Sequence, residues 1–284
     1  MRVGIVTKHD LTAASETLAT LEVWLRDRGI DALWAADSAK LMPVGDRHVV
    51  PRESIAGEVD LVLILGGDGT LLALADLIGQ AELDVPILGV NFGSLGFLTE
   101  ITRPELYTAL EMALSGNAEH DQRMMLRGRV GGDSHVALND IVLTRTALSR
   151  MVDLDVTVGD QYVTSVRSDG LIIASPTGST AYNLSAGGPV VHPAMDAIVL
   201  TPIAPHTLTH RPIVIPAERE IRVRAASGNA GAEIYVTFDG QHGFALPEGD
   251  EIIVTRAQKP IRLVRATARN YFEVLRKKLK WGER

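Results

Sequence analysis

Residues 61–74 read LVLILGGDGTLLAL. Five apolar residues run into two glycines, a single carboxylate stands between glycines, and an apolar helical pattern follows. A strand that is apolar on both faces must be covered on both, which is the condition of a parallel sheet wrapped by helices. Glycines permit positive φ and let a ligand approach the backbone closely. The start of the helix adds free N–H groups and about half a positive charge, which suits a phosphate. Two familiar nucleotide loops do not fit. The Walker pattern needs Gly-Lys-Ser/Thr, and the chain has no Gly-Lys pair; the dinucleotide fingerprint needs a third glycine where Leu72 stands. Asp68 therefore either caps the following helix or acts as a general base for an alcohol that attacks a phosphoryl group.

The first 118 residues continue in the same manner. RVGIV opens as a strand, and Leu11, Ala14, Leu18, Leu21 and Leu25 recur at helical spacing before Gly29. DALWAA and VPILGV read as further strands, and TLLALADLIG as a helix. Thr102-Arg103-Pro104-Glu105 has the spacing of a capping box, and Gly116 ends the helix it begins. Such alternation predicts a doubly wound, Rossmann-like α/β domain. After residue 120 the period changes: VDLDVTV alternates strictly, and Gly159-Asp160 turns it into QYVTSV. LIIAS, AIVLTP, PIVIP, EIRVRA, EIYVTF, EIIVTR and IRLVR follow, with Asp239-Gly240 among the turns. This predicts an all-β, sandwich-like C-terminal domain over 119–265. The last helix carries Tyr271, Leu275 and Leu279 on one stripe and is expected to return, as part of 266–284, to the domain of 1–118.

With 284 residues, 46% of them hydrophobic, the chain is long enough for two well-buried cores. Its apolar runs are too short to span a membrane, and its N-terminus lacks the apolar region of a signal peptide. The absence of cysteine removes disulfides and thiolate chemistry and fits a reducing compartment, so a soluble cytoplasmic protein is expected. Lys and Arg number 28 against 35 Asp and Glu, a balance that argues against a nucleic-acid partner. The basic run RKKLK near the C-terminus reads as a solvated helix face.

GGDGT resembles the signature shared by NAD kinases, diacylglycerol and sphingosine kinases and, more loosely, 6-phosphofructokinases. Four further stretches are similar to NAD kinases: GVNFGSLGFLTE (89–100), ALND (137–140), RSDGLIIASPTGSTAYNLSAGGPVV (167–191) and PIAPHTLTHRPIVIP (202–216). On these segments the chain is identified as a member of the NAD kinase family. The resemblance implies an ATP-dependent enzyme that phosphorylates the adenosine 2′-hydroxyl of NAD, with ATP, or polyphosphate, as donor. Asp68 would accept the hydroxyl proton, with Gly69 lining the site, and Asn139 and Asp140 would bind the adenosine ribose. Asp169 corresponds to a residue near the nicotinamide, Arg167 to a position where arginine accompanies a preference for NAD over NADH, and Arg150 and Gln241 to ligand contacts. Thr180, Ala181, Tyr182, Asn183, Leu184 and Ser185 would form one short helix, entered from the Pro176–Ser179 turn and closed by Gly187-Gly188, whose amides and hydroxyls face the dinucleotide. Ala73 departs from relatives with a basic residue there. The resemblance further implies Mg²⁺ or Mn²⁺, a homodimer or homotetramer in which one subunit can complete another's site, and a cleft between the domains.

Taken alone, Asn139-Asp140 is also a plausible turn, Tyr182 a core residue and Arg150 a solvated one. His206 and His210 lack the helix and glutamate of a zinc site, and no G-x-S-x-G elbow occurs. Two rival functions differ in kind. A lipid kinase of the diacylglycerol type would have no reason to carry the 167–191 block. An NAD sensor would bind NAD without turnover and would need no base at Asp68.

Overall fold

The computed structural model of the chain describes all residues except 146–150, 208, 227–233, 248, 267–268 and 283–284. It forms two compact units, Met1–Gln122 with Ile261–Arg284, and Arg123–Pro260.

The first unit alternates strand and helix. Its elements are β1 (Arg2–Thr7), α1 (Ser15–Asp27), β2 (Asp31–Ala35), α2 (Ala36–Ala39), β3 (His48–Val50), α3 (Arg52–Ile55), β4 (Leu61–Gly66), α4 (Asp68–Gln80), β5 (Ile87–Asn91), β6 (Ile101–Thr102), α5 (Leu106–Leu114) and, at its border, β7 (Glu119–Arg123). The chain returns with a strand, Ile261–Arg265, and a helix, Tyr271–Leu279, which are β20 and α7 in chain order. The sheet runs β3-β2-β1-β4-β5-β20-β7, with β6 also on β5. Every residue of β4 is buried, as its continuous apolar run requires. Leu61, Leu63 and Leu65 pack on one face with Leu18 and Leu21 of α1 and Leu106 and Leu110 of α5. The other face holds α3 and α4: a Cβ built on Gly4 would lie 3.1 Å from Ile55, and one on Gly89 would lie 3.3 Å from Leu71. Helices on both faces make this a doubly wound α/β unit.

One strand lies elsewhere than its sequence suggests. IRLVR, expected in the β-rich domain, is β20 of this first sheet, with Leu263 paired in parallel to Ile87. Val264 and Ala266 join the α1 and α5 core, which draws the segment here. The C-terminal segment is held in the same unit by Arg269, which donates to Glu105 at 2.6 Å and to the Glu100 carbonyl at 2.8 Å. Glu105 also closes the expected capping box on Thr102.

The second unit contains β8 (Leu126–Val130), β9 (Asp133–Ala137), β10 (Asp140–Arg145), β11 (Val152–Val158), β12 (Gln161–Ser168), β13 (Gly170–Ala174), α6 (Tyr182–Ser185), β14 (Ala197–Ile203), β15 (Ile213–Pro216), β16 (Ile221–Ala225), β17 (Ile234–Phe238), β18 (His242–Leu246) and β19 (Glu251–Arg256). They form two six-stranded sheets, β15-β14-β13-β10-β17-β18 and β12-β11-β16-β19-β8-β9. Alternation decides the packing. Ile141, Leu143, Leu171 and Ile173 face Leu154, Val156, Val223 and Val254 of the other sheet in one core. Val142, Ile172 and Ala174 point the opposite way, where Val191 covers them.

Burial raises the Glu105 carboxyl, but the hydrogen bonds from Arg269 and Thr102 outweigh it and hold the group down at about 2. A depressed carboxyl stabilises the fold above its unfolded value, and that contribution disappears as pH falls through the folded one. Glu105→Gln should therefore lower the melting temperature at pH 7. The deficit against the unsubstituted chain should shrink as thermal scans are moved from pH 4.5 towards 2, and a deficit constant over that window would contradict the linkage.

Candidate active site

Asp68 opens α4, yet its side chain does not cap the helix; Gly67 is the cap residue and no side-chain cap bond is made. The carboxylate reaches instead across to residues 97–99. Oδ1 accepts from the Leu98 and Thr99 amides at 3.2 and 3.0 Å and from the Thr99 hydroxyl at 2.9 Å. Oδ2 accepts from the Phe97 amide at 2.8 Å. Hydrogen bonds to an ionised acceptor are about twice as strong as neutral ones, so one half-buried side chain organises a whole loop. Asn91 extends the network, donating to the Thr99 hydroxyl at 2.9 Å and accepting from the Gly93 amide at 2.6 Å. Gly96 is obligatory, because a Cβ there would stand 2.0 Å from Asp68 Oδ1. Beside Asp68 the loop is open: a Cβ on Gly67 or Gly69 would meet nothing within 4 Å.

In the second unit a different aspartate plays a similar part. Asp239, in the β17–β18 turn, accepts from the Leu138, Asn139 and Asp140 amides at 2.7, 2.7 and 3.0 Å. On the other side, the Ser175 amide donates to the Asn139 carbonyl at 2.8 Å. Gly178 packs on the same peptide so closely that a Cβ would lie 2.1 Å from the Asn139 oxygen. Asn139, Asp140 and the segment 175–185 are thereby brought together at one end of the sheet, with Gln241 exposed in the neighbouring turn. The Asp140 residue is only 6% exposed, and among the described residues its carboxylate has no hydrogen-bond donor. Burial, reinforced by the charge of Asp239, pushes the Asp140 carboxyl up to about 7.

Family models of the ATP-NAD kinase N-terminal and C-terminal domains match residues 3–118 and 138–266. The chain belongs to the NAD kinase family. The NAD kinase of Geotalea daltonii is 48% identical, over 92% of this chain and 92% of its own. That of Geobacter metallireducens is 49% identical over 93% of each. Among solved structures, yeast NADH kinase complexed with NADH matches with a TM-score of 0.90 at 26% identity, covering 100% of this chain and 89% of that one. An NAD kinase from Archaeoglobus fulgidus in complex with ATP matches at 0.80 and 27% identity, covering 99% of each.

The remaining residues suggested by the family resemblance fall into three groups. Asp169 lies at the opposite end of the sheet from Asp140: Gly170 pairs with Thr144, four strand steps or roughly 13 Å along β10, while Arg167 precedes it in β12 of the other sheet. There Asp169 accepts from Arg145 at 2.8 Å, and Arg167 is exposed. The expected single helix of 180–185 is broken at Ala181, whose φ of −97° and ψ of −128° separate a short 3₁₀ turn, Gly178–Thr180, from α6. In that segment Tyr182 is exposed rather than a core residue, Ser185 is exposed, and Thr180 and Leu184 are half-buried. Asn183 is the exception. Its amide is fully buried, donating to the Ser179 and Pro189 carbonyls and accepting from Thr201, so its side chain supports the loop from beneath. Arg150 lies outside the described residues. Thr99, Gly96 and Asp239 were not among the sequence candidates; the only hint was that the first two fall inside the GVNFGSLGFLTE block.

Because the Asp140 carboxyl binds its proton more tightly in the fold than in the unfolded chain, its favourable contribution is complete below about pH 4 and lost as pH rises through 7. Asp140→Asn should accordingly melt above the unsubstituted chain at pH 8, with the gap closing towards pH 4. Equal melting temperatures across that range would show that the carboxyl is not desolvated as described.

Proposed function

We infer that the chain transfers the γ-phosphoryl of ATP to the adenosine ribose 2′-hydroxyl of NAD, producing NADP. Its family membership supports the reaction, and the Asp68 geometry carries the assignment of the base. Among the described residues, Oδ1 has three donors while Oδ2 has one, the Phe97 amide. A carboxylate oxygen has room for a second, so Oδ2 can take the proton of an attacking hydroxyl beside a glycine loop open to phosphate. The clamp holds the acceptor in one orientation, which is the positioning that phosphoryl transfer chiefly needs.

Asn139 and Asp140 are assigned to the adenosine ribose. Vicinal hydroxyls offer the donors that the buried Asp140 carboxylate lacks, and the Asn139 amide can share them. Tyr182, exposed and next to the glycine-rich turn, offers a ring face for the base, with Thr180, Ala181, Leu184, Ser185 and Gln241 around it. Arg167 and Asp169 are assigned to the nicotinamide half. Because Asp169 stands at the far end of the sheet from Asp140, this assignment favours a homodimer or homotetramer in which a second copy completes the site.

No group of three or more His, Asp or Glu side chains among the described residues is placed to hold a metal ion. Magnesium or manganese therefore fits this chain as part of the incoming nucleotide, held by phosphate oxygens and water. No helix of the described residues is long and apolar enough to cross a membrane. The absence of cysteine fits a reducing compartment, and we place the reaction in the cytoplasm.

The purified chain, given ATP, magnesium and NAD, should form NADP, read with an NADP-specific dehydrogenase. Asp68→Asn should keep NAD affinity within about twofold while turnover falls by roughly 10²–10⁴. Turnover within tenfold of the unsubstituted chain would refute the proton-acceptor role. NAD binding with no NADP formed, from ATP or polyphosphate, would replace the kinase with a sensor.

A further inference from the structure

The glycine loop contains no cation, and neither does the helix behind it: α4 reads DGTLLALADLIGQ. Phosphates brought to this loop would meet backbone amides and a carboxylate but no positive side chain from the loop itself. The sheet topology shows where one comes from. From β1 the chain moves outward to β2 and β3, then returns to place β4 on the other side of β1. Open α/β sheets bind ligands at the carboxyl ends of the strands flanking such a reversal.

Lys8 is the first residue beyond β1 at that point. Thr7 is in register with Leu65, and the Lys8 amide donates to the Leu65 carbonyl at 2.9 Å. A Cβ built on Gly66 would lie 3.3 Å from the Lys8 Cβ, so the lysine stem rises directly beside the turn into Gly67-Asp68-Gly69. Two other basic side chains beside the end of β1 are already engaged. Arg52 binds Asp37 and donates to the Thr7 carbonyl at 2.5 Å, which also fixes the end of β1, and His9 contacts Asp37 at 3.0 Å. Lys8 is exposed and, among the described residues, has neither an ion pair nor a side-chain hydrogen bond.

We propose that Lys8 binds the phosphate chain of the donor nucleotide and gives the glycine loop the positive charge its own sequence lacks. An ammonium on a flexible four-carbon stem is a compact charge with three donors, able to follow a phosphoryl group as it moves from donor to acceptor. The assignment rests on the kinase reading above, and two measurements separate the two. Lys8→Met keeps the stem and removes the charge, while Lys8→Arg keeps the charge. Lys8→Met should lose at least about tenfold in kcat/KM for ATP and weaken ATP binding by calorimetry, with NAD affinity within about twofold and the melting temperature unchanged; Lys8→Arg should recover most of the loss. ATP binding and kcat/KM unchanged in Lys8→Met would overturn the proposal. So would a parallel loss for ATP and NAD with a lowered melting temperature, which marks a structural role. If the unsubstituted chain binds ATP but forms no NADP, the kinase reading falls, and the calorimetric comparison still decides the phosphate contact.

Discussion

The chemistry of the first unit depends on four hydrogen bonds into one carboxylate. Asp68 gathers the amides of Phe97, Leu98 and Thr99 and the Thr99 hydroxyl, and in doing so joins the turn after β4 to the loop after β5. The loop after β5 carries apolar side chains, with Leu98 buried and Phe92 packed against the core, but the turn Gly66-Gly67-Asp68-Gly69 has none. The carboxylate replaces that missing packing with charge-assisted bonds, and the glycine at 96 follows because no side chain fits beneath it. Asp239 repeats the device in the second unit, turning three consecutive amides inward and leaving the Asn139 and Asp140 side chains to face elsewhere. In each unit, a carboxylate shapes the backbone beside the residues assigned to the reaction.

Asp140 differs from both. It is as deeply placed as a core residue, yet among the described residues no donor answers its carboxylate, and Asp239 adds like charge nearby. A buried polar group without a partner costs about 1–3 kcal/mol, more when charged. A site that carries such a cost before its ligand arrives recovers it when ribose hydroxyls supply the bonds. The same logic separates Asn183, whose amide is already satisfied, from the residues that await a ligand.

Much of this was legible from the chain alone, and what was not has particular causes. The run into GGDGT could only be a buried strand entering a helix, and β4 and α4 lie there. The Thr102–Glu105 box and the glycines at 29 and 116, both at positive φ, mark helix ends as read. IRLVR lies in the other unit from the one its sequence suggests because five residues reveal a strand but not whether its neighbour is parallel or antiparallel. The elements α2, β3 and α3, of three or four residues each, are too short for any period to show. At the site, the assigned acids stood in recognisable motifs, whereas their partners did not. Asp68 is tied to amides about thirty residues away, and Asp239 to amides about a hundred away. Backbone donors have no residue code, so contacts of this kind leave almost no trace in a sequence. Ala181 breaks a helix that its neighbours' spacing would allow, for the same kind of reason: the segment is shaped by its anchorage to Asn139.

The most direct test of this account is the number of protons released when NAD binds. Calorimetry at pH 7 in buffers of different ionisation enthalpy gives that number without turnover. A carboxyl raised to about 7 is partly protonated there, and accepting ribose hydroxyls favours its ionised form. The account predicts proton release on NAD binding at pH 7, fading by pH 8.5 and absent in Asp140→Asn. NAD binding with no proton linkage between pH 6 and 8, or with the same linkage in Asp140→Asn, would contradict it.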